Sequence, residues 1–353
     1  MINSKTILVA PLHWGLGHAT RCIPIIKALI ADGFNVLLAS DGAALLLLRK
    51  EFPDLDFLEL PSYNISYTKK AKNFKWKLLL KLPSIQKTMA LERKIMKQLV
   101  SKGKIQGIIS DNRLGVRSAN VPSVFITHQL NVLTGKTSWL SSKMHQKIIA
   151  KYDECWVPDL DSAINLSGKL GHLQDSSLNI KYIGPLSRFK KQKRPIVNDI
   201  LIILSGPEPQ RSMLESKLKV IFKDSDKRIV LIRGVVENQQ TTNIENGITL
   251  INYMQSDMLE MAINESEVIL SRSGYTTIMD LAVLEKKAFF IPTPGQYEQN
   301  YLAKRLKSNG IVPSCKQDKF KPEHLDEVKL YKGLSDIGTQ VNLSELFGLF
   351  EGK

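Results

Sequence analysis

Cysteine is scarce in this chain: among 353 residues there are three, Cys22, Cys155 and Cys315, far apart and without a Cys-x-x-Cys pair. That pattern excludes a disulfide framework and a zinc ribbon, and it fits a reducing, cytoplasmic setting. No apolar run approaches the roughly 18 to 20 residues that a membrane span needs. Nor does the N-terminus, where strand-like Thr6–Ala10 runs straight into Pro11, carry the small-residue cleavage pattern of a secretory signal. With 21 glycines and 15 prolines, 43% hydrophobic and 24% charged residues, the composition is neither fibrous nor disordered. The length suits two domains, each able to bury its own core.

Acidic residues are nearly missing from one stretch. The net charge is +15, and between Pro61 and Lys104 Glu92 is the single acid among many lysines and arginines, so that stretch carries most of the excess. The cations interleave with Phe74, Trp76, Leu78, Leu79, Leu80, Ile85, Met89, Ile95, Met96 and Leu99. A nucleic-acid binder spreads charge along a groove, so no nucleic acid is expected. A cationic face beside an aromatic and leucine face reads as an interfacial element on anionic lipid over residues 67–104; a core-packed helix with a solvated lysine face is the plainer alternative.

The remainder alternates short β-like and helical runs. Thr6–Ala10, Phe34–Ala39, Phe57–Leu60, Ile105–Ser110, Ser123–Thr127, Glu154–Val157 and Ile180–Ile183 read as strands, with helices over Thr20–Ala31, Gly42–Lys50 and Ser138–Lys151 between them. After a basic, proline-bounded junction, Gly184–Pro195, the alternation restarts with Asp199–Leu204 and continues to a helix over Glu298–Ser308. Such alternation predicts right-handed crossovers and mostly parallel sheets. The expected fold is α/β: two doubly wound, Rossmann-like domains at 1–187 and 197–345, a linker at 188–196 and a tail at 346–353. Ligands then belong at the C-terminal edges of the sheets, in a cleft between the domains.

The chemistry-bearing residues sit in the loops after strands. Pro11-Leu-His13-Trp-Gly15-Leu-Gly17-His18-Ala-Thr20 joins the first strand to the first helix. It is no dinucleotide fingerprint, because Thr20 stands where a third glycine belongs. Two histidines at a helix entrance, where the positive dipole end discourages imidazolium, suggest a base. Further on, strands end in Ser205-Gly206 and in Ser271-Arg272-Ser273-Gly274-Tyr275-Thr276, clusters of hydroxyl and N–H groups suited to phosphate oxygens. Asp280 lies one turn beyond Thr276, and Gln296, Glu298 and Gln299 follow the next strand, offering amides and carboxylates to sugar hydroxyls.

Taken together, these segments resemble the GT-B glycosyltransferases of family 28, the class that adds N-acetylglucosamine to a lipid-linked peptidoglycan precursor. Gly15, Gly17 and His18 match that family's opening glycine loop ending in Gly-His, which makes His18 the implied base. His128, Gln129 and Asn131 echo its histidine-glutamine-asparagine cluster and, with His13, Gly17 and Asp111, are the implied acceptor side. Gly184, Pro185 and Arg188 resemble the segment whose arginine approaches the donor phosphate. Ser271 to Gly274 match a Ser-Arg-Ser-Gly run. Asp280 stands for the acid at the nucleotide ribose, and Glu298 and Gln299 for the glutamines at the donor sugar.

The resemblance implies an inverting transfer from a nucleotide diphosphate sugar, UDP-linked in the family, to a hydroxyl, with no cofactor and no metal. A peripheral place on the inner face of the plasma membrane goes with a lipid-linked acceptor. An epimerase acting on UDP-N-acetylglucosamine and a non-catalytic anionic-surface module are the alternatives.

Overall fold

A computed structural model describes residues 4–64, 82–206, 208–335, 337–338 and 341–352. They form two compact units, 4–64 with 82–186 and 341–352 in the first, and 187–338 in the second. Among the described residues no helix is long and apolar enough to cross a membrane.

The first unit alternates strands β1 (Thr6–Pro11), β2 (Asn35–Ser40), β3 (Phe57–Glu59), β4 (Gly107–Asp111), β5 (Ser123–Ile126), β6 (Glu154–Val157) and β7 (Ile180–Tyr182) with helices α1 (Gly17–Ala31), α2 (Gly42–Glu51), α3 (Leu82–Ser101) and α4 (Ser138–Ile149). The strands pair in parallel in the order β3-β2-β1-β4-β5-β6-β7. Ile7, Leu8, Val9 and Ala10 of β1 are wholly buried, as a strand covered on both faces requires. Because β2 lies on one side of β1 and β4 on the other, the chain reverses direction across the sheet at β1, leaving a crevice at the strands' C-terminal ends.

The second unit repeats the plan with β8 (Asn198–Ile203), α5 (Gln210–Ile221), β9 (Ile229–Ile232), β10 (Thr242–Glu245), β11 (Ile248–Ile251), α6 (Ser256–Asn264), β12 (Ser266–Ser271), α7 (Tyr275–Val283), β13 (Ala288–Phe290) and α8 (Tyr297–Ser308). The order β10-β11-β9-β8-β12-β13 puts its switch point between β8 and β12. All pairings are parallel except β10–β11, a hairpin turning through Asn246 and Gly247, both at positive φ.

Two expectations about organisation change. Residues 188–196 are not a free linker: Lys190 N donates to Glu260 at 2.7 Å, Gln192 N to Asn264 at 3.1 Å, and Arg194 pairs with Glu265. These contacts fasten the stretch along α6. Nor is the C-terminus a loose tail. The chain re-enters the first unit with α9 (Gly348–Glu351), and Phe347 and Phe350 bury their rings against Phe34 and Trp156. A Cβ on Gly107 would stand 2.5 Å from the Phe350 ring, so the glycine makes room for it.

The basic stretch is described only from Leu82; residues 67–81 lie outside the described residues. Along α3, Met96 is buried and Ile95, Leu99 and Val100 pack on the core beneath β1 and β4, while Lys87, Arg93, Lys94 and Lys97 are exposed. Within α3 the apolar side chains Ile95, Met96, Leu99 and Val100 are spent on the sheet, leaving a solvated cationic face, while Phe74, Trp76, Leu78, Leu79 and Leu80 lie outside the described residues.

Candidate active site

In the first unit the switch-point loop after β1 lies beside the end of β4, since Pro11 pairs with Asp111 and Leu12 N donates to Asp111 O at 2.9 Å. His18 is the second residue of α1, its side chain 16% exposed, and its Nδ1 lies 2.9 Å from Asp111 Oδ1. A carboxylate only accepts, so in the neutral ring Nδ1 carries the proton of that bond and Nε2 the lone pair; Arg21 Nη2 also lies 2.9 Å from Nδ1. Asp111 itself is fully enclosed. Burial alone would raise its carboxyl, but the Arg21 guanidinium and His18 outweigh that and hold it well below the ordinary carboxylate value. Arg21 Nε donates to Asp111 Oδ2 at 2.5 Å and Nη2 to Oδ1; Cys22 Sγ and Asn112 Nδ2 complete the shell at 3.6 and 3.2 Å. Asp111, read from sequence as a substrate contact, thus turns inward and orients His18.

The other acceptor-side expectations divide. Arg21 Nη1 lies 3.0 Å from His128 Nδ1, so His128 joins the same cluster, and the Gln129 amide nitrogen stands 3.4 Å from His128 Nε2. Asn131 instead spends its amide on the carbonyl of Lys169 at 2.7 Å, and its own N–H on Leu170 at 2.9 Å, anchoring a nearby turn. Gly17 opens α1, where Thr20 Oγ1 donates to its carbonyl.

A second histidine–carboxylate pair sits alongside. His13 Nδ1 lies 3.2 Å from Asp41 Oδ2, and Arg113 Nη1 donates to Asp41 Oδ1 at 2.7 Å. Burial pushes the Asp41 carboxyl up, yet His13 and Arg113 prevail and lower it. Arg113 also binds Glu92 at 2.7 Å, whose other oxygen takes the Tyr63 hydroxyl at 2.6 Å. Gly42 permits the pairing, because a Cβ there would meet the His13 ring at 2.3 Å. Arg21, Asp41, Glu92 and Arg113 carry no motif; the one signal for Arg21 is a cation three residues after His18, on the same face of an otherwise apolar helix.

In the second unit, β8 and β12 pair so that Ile203 faces Ser271, which sets the Ser205–Gly206 and Arg272–Gly274 turns side by side. Gly206 has φ +95°, the left-handed region that only glycine enters freely. Gly274 caps α7 with extended backbone, Tyr275 is buried and Thr276 half-buried. On α7, Asp280 Oδ1 accepts from Ser187 Oγ at 2.7 Å. Burial raises its carboxyl to about 6, against the pull of Arg188 and of Ser187. Arg188, with its guanidinium stacked 4.8 Å from the Phe189 ring, therefore stands beside Asp280.

Three expected donor ligands face inward. Arg272 is 1% exposed and donates to the carbonyls of Ile291 and Pro292, to that of Gln210 at 2.9 Å, and to Gln317 Oε1 at 2.8 Å. Burial drops its pKa to about 10. Its guanidinium pins the β13 exit and the start of α5 rather than meeting a phosphate. Ser273 Oγ donates to Gln299 O at 2.9 Å, and Gln299 Oε1 accepts from Thr293 N at 2.8 Å, which fixes α8 against the turn. Gln296 caps α8, and Glu298 in its first turn is half-exposed. Among the described residues no group of three or more His, Cys, Asp or Glu side chains is placed to hold a metal.

The glycosyltransferase family 28 C-terminal domain matches residues 201–341. The UDP-N-acetylglucosamine–N-acetylmuramyl-(pentapeptide) pyrophosphoryl-undecaprenol N-acetylglucosamine transferase of Buchnera aphidicola is 25% identical over 60% of this chain and 57% of its own length. The protein of the same description from a Wolbachia of Drosophila simulans is 20% identical over 95% of this chain and 93% of its own. Among solved structures, Acinetobacter baumannii MurG superposes with a TM-score of 0.55 at 16% identity, covering 99% of this chain and all of that one. The chain has the GT-B fold and is related to glycosyltransferase family 28 through its second unit. The chain spans little more than half the length of the first of these relatives.

Proposed function

We propose that this protein is a glycosyltransferase that moves a sugar from a UDP-sugar to an acceptor hydroxyl with inversion of the anomeric centre, with His18 as general base and the second unit holding the donor. The observation that carries the reading is the His18–Asp111 pair. A buried, ionised carboxylate on Nδ1 leaves Nε2 to take the acceptor's proton as its oxygen attacks. His13 and His128 supply further polar contacts to the acceptor. The departing diphosphate is met by the N–H groups at the start of α7, by the Ser205–Gly206 turn and by Arg188, so charge stabilisation needs no metal. Asp280 receives the ribose hydroxyls, and Gln296 and Glu298 the sugar. A thermal-shift panel of UDP, GDP and TDP tests the donor: UDP is expected to raise the melting temperature most, since a ligand that binds only the folded state stabilises it by mass action. Equal shifts from all three would reject UDP selectivity. Acceptor-free epimerisation of UDP-N-acetylglucosamine would replace transfer with the epimerase reading.

Asp280 gives the donor site a pH signature. Ribose hydroxyls donate to the carboxylate and gain nothing comparable from the acid, so UDP affinity should fall as pH drops through about 6, where Asp280 takes a proton. The same raised value means that ionising Asp280 costs folding stability above pH 6; binding recovers part of it. Calorimetry from pH 5 to 8 checks this. Asp280→Asn should bind UDP weakly at every pH in that range, and an undiminished wild-type affinity at pH 5 would remove Asp280 from the ribose.

The acceptor in this reading is lipid-linked, and the protein works at an anionic membrane surface. Exposed Lys87, Arg93, Lys94 and Lys97 on α3 supply charge, and α4 supplies the apolar contact that α3 lacks: Trp139 is 67% exposed, Leu140 and Met144 each 53%, with Lys143 over the Trp139 ring. Lysines near anionic lipid contribute on the order of 1 kcal/mol each, and a buried indole adds to that. The protein should cosediment with phosphatidylglycerol vesicles at low salt, and Trp139→Ser with Leu140→Ser should release it without changing UDP affinity. Absence of cosedimentation by the parent protein would favour a soluble acceptor.

A further inference from the structure

Two local rules of helix formation are broken where α2 begins, and both breaks serve one side chain. Asp41 stands at the N-cap of α2 with the extended backbone, φ −140° and ψ 164°, from which an aspartate ordinarily accepts from the N–H groups that open the helix, yet it makes no such bond. Its Oδ2 lies 3.2 Å from His13 Nδ1 and its Oδ1 accepts from Arg113 Nη1 at 2.7 Å, with Ser62 a further donor to the carboxylate. Gly42, the first residue of α2, has φ +53°, and a Cβ there would collide with Cε1 and Nδ1 of the His13 ring. A side-chain cap and a helix-forming residue are thus given up for the seat of an imidazole that stays 32% exposed. Arg113 in turn holds the carboxylate still. It is wholly buried and donates from all three nitrogens, Nε to Glu92 at 2.7 Å, Nη1 to Asp41, and Nη2 to Pro61 O at 2.6 Å.

We propose that Asp41 and Arg113 are positioning residues for His13, fixing its ring so that Nε2 of the neutral imidazole accepts a hydrogen bond from a hydroxyl or amide N–H of the acceptor substrate. The identity of the ligand rests on the assignment of the first unit to the acceptor. Because a carboxylate only accepts, the proton of the neutral ring is on Nδ1 and the lone pair on Nε2. A lone pair so placed selects for a donor, since an ether or carbonyl oxygen there would leave both acceptors unsatisfied. Local stability yielded at a cap and at a glycine, for a ring that remains open to solvent, is what a functional site requires and a packing histidine does not.

The ring is read in the whole protein at about pH 8, above the ordinary imidazole range. Long-range 1H–15N correlation on 15N-histidine, assigned with His13→Gln, locates the proton. The rate of modification by diethyl pyrocarbonate, which needs a bare ring nitrogen, reports the lone pair. The parent His13 should carry its proton on Nδ1. In Asp41→Asn, Arg113 has donors only and claims the amide oxygen, turning the NH2 group toward His13 Nδ1. The proton should then move to Nε2 and modification slow about tenfold, the ratio that one hydrogen bond sets between tautomers. The His18 signals should stay, since Asp111 is untouched. Arg113→Lys, one ammonium in place of three donating nitrogens, should move the His13 nitrogens toward an averaged position, and Gly42→Ala, which leaves every charge in place, should shift them by unseating the ring. A parent proton on Nε2, or His13 unmoved in any folded variant, would overturn the proposal. Should a variant lose its dispersed amide spectrum, the parent tautomer and the remaining variants decide. If His13 responds as stated but His13→Ala leaves turnover and the acceptor KM unchanged, the acceptor reading fails while the positioning stands.

Discussion

His18→Ala should lower turnover of the UDP-sugar by about 10² to 10⁴ while leaving UDP affinity unchanged. The size follows from the role. Without a base within reach, the acceptor oxygen attacks while still carrying its proton, and a factor of 10² to 10⁴ corresponds to about 3 to 5 kcal/mol of lost transition-state stabilisation. The selectivity follows from where the residues are. His18 begins α1 of the first unit, whereas the turns after β8 and β12 that the donor reading uses belong to the second. The substitution should also be mild for folding, because His18 is part-exposed and Asp111 keeps both bonds from Arg21. The check is a pair of measurements, initial rates and UDP calorimetry. Full turnover in His18→Ala would pass the base role to His13, which has its own carboxylate in Asp41, and loss of UDP affinity would contradict the division between units.

The alternation of strands and helices was legible in sequence because parallel strands buried on both faces are short apolar blocks, and Thr6–Ala10 or Leu201–Ile203 offer little else to read. Strand β10 was not, since all four of its residues are exposed and no periodic burial marks it; the Asn246–Gly247 turn is its one local sign. Residues 188–196 looked like a linker because lysines and arginines suit solvent, and their partners Glu260, Asn264 and Glu265 lie some seventy positions away. Phe347 and Phe350 give no hint that their core is formed by Phe34 and Trp156. At the site, His18 was legible from the glycine loop, but the direction of a side chain was not. Arg272, Ser273, Gln299 and Asn131 have the chemistry of ligands, and whether a guanidinium or amide meets a substrate or a backbone carbonyl is decided by tertiary packing. Arg21 reads as an ordinary helix residue until Asp111 and His128, from two other strands' ends, are brought around it.

Asp111→Asn should cost nearly as much activity as removing His18, about 10² to 10⁴, with the site's shape retained. The replacement has one acceptor and one donor face. Arg21, a buried cation with donors only, claims the amide oxygen, which turns the NH2 group toward His18 Nδ1. His18 then accepts at Nδ1 and carries its proton on Nε2, the wrong nitrogen for a base. Stability should fall too, because the charge of Arg21 is left without its counter-charge in an enclosed site; breaking such pairs costs about 3 to 5 kcal/mol, less here by the one hydrogen bond that remains. The pH dependence separates this from general loosening. Asp111 is held below its unfolded value, so the wild-type pair stabilises the fold above pH of about 4 and that contribution is lost as acid is added below it. The asparagine does not titrate. Melting temperatures of the two proteins should accordingly differ most at neutral pH and draw together progressively as the pH falls below about 4, while turnover of the variant stays low throughout. A variant that keeps wild-type turnover, or the same acid slope in melting temperature, would show that Asp111 neither orients His18 nor balances Arg21.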